Sequence, residues 1–138
     1  MYNDVRLITL RENADKRGSL IAIEGNNDIP FEIKRIFYIY NTNNDEARGK
    51  HANRITEFVM ICVRGSCNVC VRSGKTEYTE YVLDHPSKAL YIGKMIWKEM
   101  RNFSPDAVLL CIASEIYNPN EYIYDFEEYL KEVTMYSE

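Results

Sequence analysis

The sequence predicts an all-β domain, a barrel or sandwich of jelly-roll type that ends in one short helix. Roughly nine or ten short apolar or alternating runs succeed one another, with turn-forming clusters every ~8–12 residues. The chain carries 11 tyrosines and 5 phenylalanines, residue types that favour the pleated, half-buried surface of a sheet. A helical period of 3.6 occurs only near the C-terminal end.

The first strand is Val5 to Leu10. Asn13 to Gly18 has the composition of a turn, and Ser19 to Glu24 reads as a second strand ended by Gly25-Asn26-Asn27-Asp28. Past Pro30, the run Ile33 to Tyr40 alternates, with Arg35, Phe37 and Ile39 on one face and Ile36, Tyr38 and Tyr40 on the other. Asn41 to Asp45 is a polar loop. It leads into Arg48 to Phe58 and then into the apolar run Val59 to Val63, closed by Arg64-Gly65-Ser66.

Asn68 to Arg72 and Thr76 to Leu83 flank Ser73-Gly74-Lys75 as a hairpin. After the turn Asp84 to Ser87 come strands at Ala89 to Ile92 and Ile96 to Met100. Ser104-Pro105-Asp106 then turns the chain into Ala107 to Ala113, continuously apolar as for a strand covered on both faces. Phe126, Tyr129, Leu130 and Val133 fall at i, i+3, i+4 and i+7, and Asp125 with Glu128 signals the start of a helix.

A length of 138 residues suits one domain, 1–138, with a substantial core. Net charge is −4, which leaves no basic surplus to neutralise a nucleic acid backbone. No apolar run reaches the ~20 residues of a membrane-spanning helix, and the start lacks the pattern of a signal peptide. The expected location is the cytoplasm, with Cys62, Cys67, Cys70 and Cys111 as reduced thiols. Cys67-Asn68-Val69-Cys70 has C-x-x-C form, but it lies in a strand pattern where residues three apart face opposite ways, so these cysteines are expected to be structural.

His51 is the first candidate for chemistry. Period-2 alternation puts it on one face with Asn53, and Arg48, Lys50 and Arg54 are expected to keep its imidazole neutral, as a general base requires. His85 sits in a turn before Pro86 and reads as a solvated loop residue. Arg35 or Lys34 offers a cation for a phosphate, although only one of the two faces inward. Trp97 and Lys98 read as an aromatic wall with a cation, or else Trp97 belongs to the core.

Gly49-x-His51-x-Asn53-x-x-x-Glu57, followed by Gly65, resembles the first cupin motif, with Asn53 where a second histidine is usual. Only His51 and Glu57 remain of the usual metal ligands, too few for a transition-metal site. Longer stretches resemble the WxcM-like sugar 3,4-ketoisomerase branch of the cupins. They include Arg17-Gly18-Ser19-Leu20, Pro30-Phe31-x-Ile33-Lys34-Arg35-x-Phe37-Tyr38, Arg48-Gly49-x-His51-Ala52, Ile61-Cys62-Val63-x-Gly65-Ser66 and Leu90-Tyr91-Ile92 with Trp97. The match continues through Met100-x-x-Phe103-Ser104, Val108-Leu109-Leu110-x-x-Ala113-Ser114, Tyr117 and Tyr122-Ile123.

The resemblance implies a cupin jelly-roll barrel acting on dTDP-4-keto-6-deoxyglucose without cofactor or metal. It also implies a homodimer, possibly with exchanged N-terminal strands, and no nucleic acid or membrane partner. His51 and Tyr38 are the implied catalytic residues. Arg17, Arg35, Arg48, Asn53, Trp97, Lys98 and Arg101 are the expected substrate contacts, with Arg35, Lys98 and Arg101 the candidates for the pyrophosphate. Tyr38, Arg17 and Asn53 are the expected donors to the developing oxyanion. An arginine at position 17 favours the galacto product, dTDP-3-keto-6-deoxy-D-galactose, on the way to a 3-amino-3,6-dideoxyhexose. The alternatives are a dTDP-sugar 3,5-epimerase and a non-catalytic nucleotide-sugar-binding cupin.

Overall fold

The computed structural model describes residues 4–43 and 46–137. Residues 1–3, and positions 44 and 45 of the expected polar loop, lie outside the described residues. The described residues form twelve strands followed by one α-helix. They are β1 (Val5–Thr9), β2 (Asn13–Asp15), β3 (Gly18–Leu20), β4 (Arg35–Ile39), β5 (Arg48–Asn53), β6 (Phe58–Arg64), β7 (Cys67–Arg72), β8 (Thr79–Leu83), β9 (Lys88–Ile92), β10 (Trp97–Arg101), β11 (Val108–Ala113) and β12 (Tyr122–Ile123), and the helix is α1 (Phe126–Ser137).

Two five-stranded sheets face each other, in the orders β1-β9-β6-β11-β4 and β12-β5-β10-β7-β8, and every strand pair is antiparallel. This is the all-β jelly-roll architecture that the alternating runs predict. No helix among the described residues is long and apolar enough to cross a membrane.

Three apolar clusters explain which runs alternate and which do not. Met60, Cys62, Val69, Leu90, Leu109 and Cys111 belong to the cluster between the sheets. Val59, Ile61, Ile112 and Tyr91 point the other way, into a second cluster capped by Leu10, Ile29 and Phe31 of the N-terminal segment. β6 and β11 are therefore covered on both faces, which is why their sequences read as unbroken apolar runs. The third cluster lies under α1, where Tyr129 and Val133 meet Ala52, Met95, Trp97 and Ile123. The side chain of Asp125 accepts a hydrogen bond from the Glu127 amide at 2.9 Å and so caps the helix.

The N-terminal region differs from its sequence reading. Of the expected 19–24 strand only Ser19 and Leu20 are extended and paired; they join Gly18 in β3, whose partner is Asn13–Asp15, and Gly18 and that partner both lie inside the expected turn. This hairpin pairs with no third strand among the described residues, and Leu20 is 61% exposed. With no sheet beneath it, alternation has nothing to bury, so Ile21–Glu24 leaves the strand conformation. The cysteines behave as expected: all four are free and buried. Cys67 enters the inter-sheet core, whereas Cys70 meets Arg101 Nε at 3.1 Å and Glu80 at 3.3 Å.

Candidate active site

β5 and β10 build the site through one irregularity. Lys98 is opposite His51, but Glu99 is opposite Gly49, so Lys50 is an extra residue in β5. Gly49 and Lys50 both take left-handed backbone, with φ of 87° and 55°. This is a bulge of the kind that re-aims side chains. A Cβ at Gly49 would lie 3.1 Å from the Lys98 carbonyl and from Met100 Sδ, so glycine is needed for the strands to approach. Regular alternation would put Arg48 and His51, three apart, on opposite faces; the bulge lets both line one cavity.

That cavity has a volume of about 130 Å³ and is lined by Arg48, His51, Phe58, Met60, Lys98 and Tyr122 among others. The Tyr122 ring lies 4.9 Å from the imidazole and the Tyr124 ring 5.7 Å. Burial holds the His51 pKa down to about 4, with the Lys98 charge adding to the effect. The imidazole is neutral at pH 7 and available as a base. The expected cause was different: Arg48 and Lys50 are exposed, and Arg54 turns away to grip Glu132 of α1 through paired bonds of 2.9 Å.

Lys98 is 1% exposed. Its Nζ donates to Asn53 Oδ1 at 3.1 Å and stands 4.8 Å from the centre of the Phe58 ring. Burial pushes its pKa down to about 7, against an opposing pull from the Glu121 carboxylate. Asn53 also donates from Nδ2 to Glu121 Oε1 at 3.1 Å. Glu121, in the 3-10 turn Pro119–Glu121, accepts from the Ile55 amide at 3.2 Å, the Thr56 amide at 2.9 Å and the Thr56 hydroxyl. These bonds offset the cost of its burial and hold its pKa below the usual carboxylate range. Glu121 is the residue that sequence reasoning missed, because an Asn-Pro-Asn-Glu segment reads as an exposed turn.

The other expected site residues divide. Arg35 is not among the residues lining the cavity but meets one that is, with Nη2 3.3 Å from the Tyr122 hydroxyl and its guanidinium 5.5 Å from the Tyr117 ring centre. Its Nε is buried without a hydrogen-bond partner. Tyr38 requires correction: it lies on the outer face of edge strand β4, 62% exposed, with its ring 6.0 Å from that of Tyr40. The tyrosine that faces His51 is Tyr122. Trp97 is also corrected, because the neighbour of an inward-facing Lys98 must face outward. It packs beneath α1, 5.1 Å from the Phe126 ring and 5.6 Å from that of Tyr129.

Arg101 shares that outward face and bonds to Cys70, so it does not line the cavity. Arg17 sits at the tip of the β2–β3 hairpin, paired with Asp15 at 2.7 Å, and is not among the residues lining the His51 cavity. Glu57, the second survivor of the metal-binding pattern, accepts from the Tyr91 hydroxyl. His85 is bonded to Ser87 in its turn at 2.8 Å.

Comparison with known proteins extends this geometry. The family model FdtA, described as WxcM-like, C-terminal, matches residues 3–134. A TDP-4-oxo-6-deoxy-alpha-D-glucose-3,4-oxoisomerase of Aneurinibacillus thermoaerophilus is 41% identical over 136 residues, covering 96% of this chain and 97% of that protein. A 3,4-ketoisomerase from Helicobacter canadensis superposes with a TM-score of 0.92 at 46% identity, covering 96% of this chain and 98% of its own. The sugar 3,4-ketoisomerase QdtA of Thermoanaerobacterium thermosaccharolyticum, solved in complex with TDP, gives a TM-score of 0.93 at 40% identity, covering 99% and 98%.

Proposed function

The chain belongs to the FdtA family of WxcM-like proteins, and on that premise we propose that it is a dTDP-4-keto-6-deoxy-D-glucose 3,4-ketoisomerase. It is an isomerase that moves the keto group from C4 to C3. The observation that carries the reading is a neutral, half-buried His51 opening onto a barrel cavity that also presents a cation from the facing strand.

The hydrogen at C3 is acidified by the adjacent C4 carbonyl. His51 removes it, the C–H electron pair becomes a C3–C4 double bond, and negative charge develops on O4. A buried cation and hydrogen-bond donors in a low-dielectric site stabilise that oxyanion far more than water does. Return of the proton to C4, with O3 becoming the ketone, completes the shift. A single imidazole works from one face of the ring, so the hydrogen at C4 enters cis to the one that left C3. That arrangement is the galacto configuration, and the product is dTDP-3-keto-6-deoxy-D-galactose.

Arg35, with its unpartnered Nε, and Arg48 at the rim are suited to the pyrophosphate. The Tyr117, Tyr122 and Tyr124 rings offer flat faces for the sugar or base, with ring centres 5.7 and 5.8 Å apart in sequence. A homodimer belongs to the same proposal: the β2–β3 hairpin, the exposed Ile36 and Tyr38 of β4, and Tyr40 just beyond it are surfaces that a second copy would cover. The cytoplasm is the proposed place of action.

The test is incubation with the 4-keto sugar nucleotide in deuterated water, followed by NMR. Movement of the ketone to C3 with a small H4–H5 coupling is the expected result. Exchange at C5 without keto migration refutes the reading, and a large coupling refutes one-face transfer. His51→Asn should still bind TDP and turn over at least ~10²-fold more slowly.

A further inference from the structure

One imidazole accounts for the carbon-bound hydrogen but leaves a second proton unassigned. The 3,4-shift must also take a proton from the C3 hydroxyl and supply one to the C4 oxygen. We infer that Lys98 is this second carrier, giving a proton from its ammonium to O4 and recovering one from O3, while Asn53 and Glu121 hold its nitrogen in place. The inference rests on the ketoisomerase reading.

Position comes first. Lys98 and His51 are direct partners across β10 and β5, and both line the same cavity. An ammonium has three N–H donors. One is given to Asn53 Oδ1 at 3.1 Å and another direction is taken by the Phe58 ring at 4.8 Å, leaving a donor for the cavity. Asn53 is itself anchored on Glu121 at 3.1 Å, and Glu121 on two backbone amides and a hydroxyl. The nitrogen is thus fixed by residues that are not among those lining the cavity, which makes Asn53 and Glu121 positioning residues.

The protons balance without any outside reagent. As His51 takes the hydrogen from C3, the carbonyl π pair moves onto O4 and Lys98 protonates it, giving a neutral enediol and a neutral amine. The amine then takes the O3 proton, the O3 lone pair forms the new carbonyl, and the double-bond pair takes the proton from the imidazolium at C4. Both side chains end as they began.

The charges around the amine suit this cycle. From β5, His51 and, at the rim, Arg48 line its cavity, as does Tyr122 from β12; Glu121 of the 3-10 turn and Cys111 of β11 are the other titratable groups around it. The Cys111 thiol is pushed up to about 12 by burial and stays neutral. The depressed pKa of Lys98, about 7, makes both its forms accessible at neutral pH, the condition under which a single group serves as acid and then as base.

The experiment compares wild type with Lys98→Arg, which keeps the charge but has no proton to exchange at neutral pH. The wild-type kcat should fall as pH rises through the neutral region, because the cycle starts from the ammonium. Lys98→Arg should lose that limb and turn over about 10²-fold more slowly, yet keep TDP affinity and still exchange the C3 hydrogen with deuterium. A limb that survives in Lys98→Arg, or turnover within about threefold of wild type, overturns the proposal. Independently of any variant, lysine Cε NMR of the wild-type protein should show one resonance titrating near neutrality, and its absence also overturns it. If wild type moves no keto group at all, the ketoisomerase reading fails instead.

Discussion

Replacing Lys98 by methionine should make the protein more stable below neutral pH, and the gain should shrink as pH rises. Burial lowers the Lys98 pKa from 10.5 to about 7. At about 1.4 kcal/mol per pKa unit, carrying the ammonium into the core costs on the order of 5 kcal/mol. Methionine has similar length and reaches the same space between Phe58 and Asn53 without a charge. Against this gain stands the Asn53 carbonyl, left without its 3.1 Å donor, at about 1–3 kcal/mol. The expected net gain at pH 6.5 is therefore roughly 2–4 kcal/mol. Near 138 residues, that raises Tm by about 6–16 °C.

The pH dependence is the sharper quantity, because the unpaired carbonyl contributes equally at every pH. The folded pKa of Lys98 lies below its unfolded value. Between the two the unfolded chain binds more protons, so wild-type stability rises with pH and the methionine variant lacks this rise. From pH 6.5 to pH 9 the difference between them should fall by about 2–3 kcal/mol. Urea unfolding of both proteins at four pH values in that window measures it. Parallel stability curves would refute the reasoning, since they would mean that Lys98 enters the core at no proton-linked cost.

Two further outcomes follow from the same network. On the proposed role of His51 as the base, with its pKa held down to about 4, kcat/KM should stay level from about pH 6 to about pH 5 and fall about tenfold per unit below 4, measured with circular dichroism to confirm folding at each pH. Glu121→Gln can keep the three bonds accepted by Oε1 but puts an amide NH2 where Oε2 accepts from the Thr56 hydroxyl, and it removes the charge that strengthens all four. Urea unfolding should show a loss of roughly 1–3 kcal/mol, whereas an unchanged midpoint would mean that the carboxylate does not hold the turn.

The fold was legible because its signals are local. Alternating runs, turn clusters and one helical period at Phe126 to Val133 each report a face buried by the sheets or by α1. The site was only half legible, for three physical reasons. Alternation separated the faces of β4 correctly, and the same pattern that turned Phe37 inward necessarily turned Tyr38 outward. Trp97 and Lys98 are neighbours on a strand and cannot both line one cavity, so the choice required knowing that α1 would cover the tryptophan. Arg48 joins His51 only through the extra residue at Lys50, and the sole trace of that bulge in the sequence is Gly49. Glu121 left no pattern at all; its partners come from 65 to 68 residues away.

Asn53 stands where a proton-carrying histidine would be expected, and its chemistry explains how the site can work without one. An amide cannot shuttle protons at neutral pH, but it has distinct donor and acceptor ends. The Glu121 carboxylate can only accept and the Lys98 ammonium can only donate, so the orientation of Asn53 is fixed by its neighbours: Nδ2 to the carboxylate, Oδ1 to the ammonium. A histidine could serve both partners only as one neutral tautomer, and it would then lose its acceptor if it took up a proton. The amide therefore gives up mobility of protons at position 53 and gains a permanent link between a buried anion and a buried cation. On the proposed mechanism the proton-carrying work then rests with His51 and Lys98, one suited to carbon and the other to oxygen.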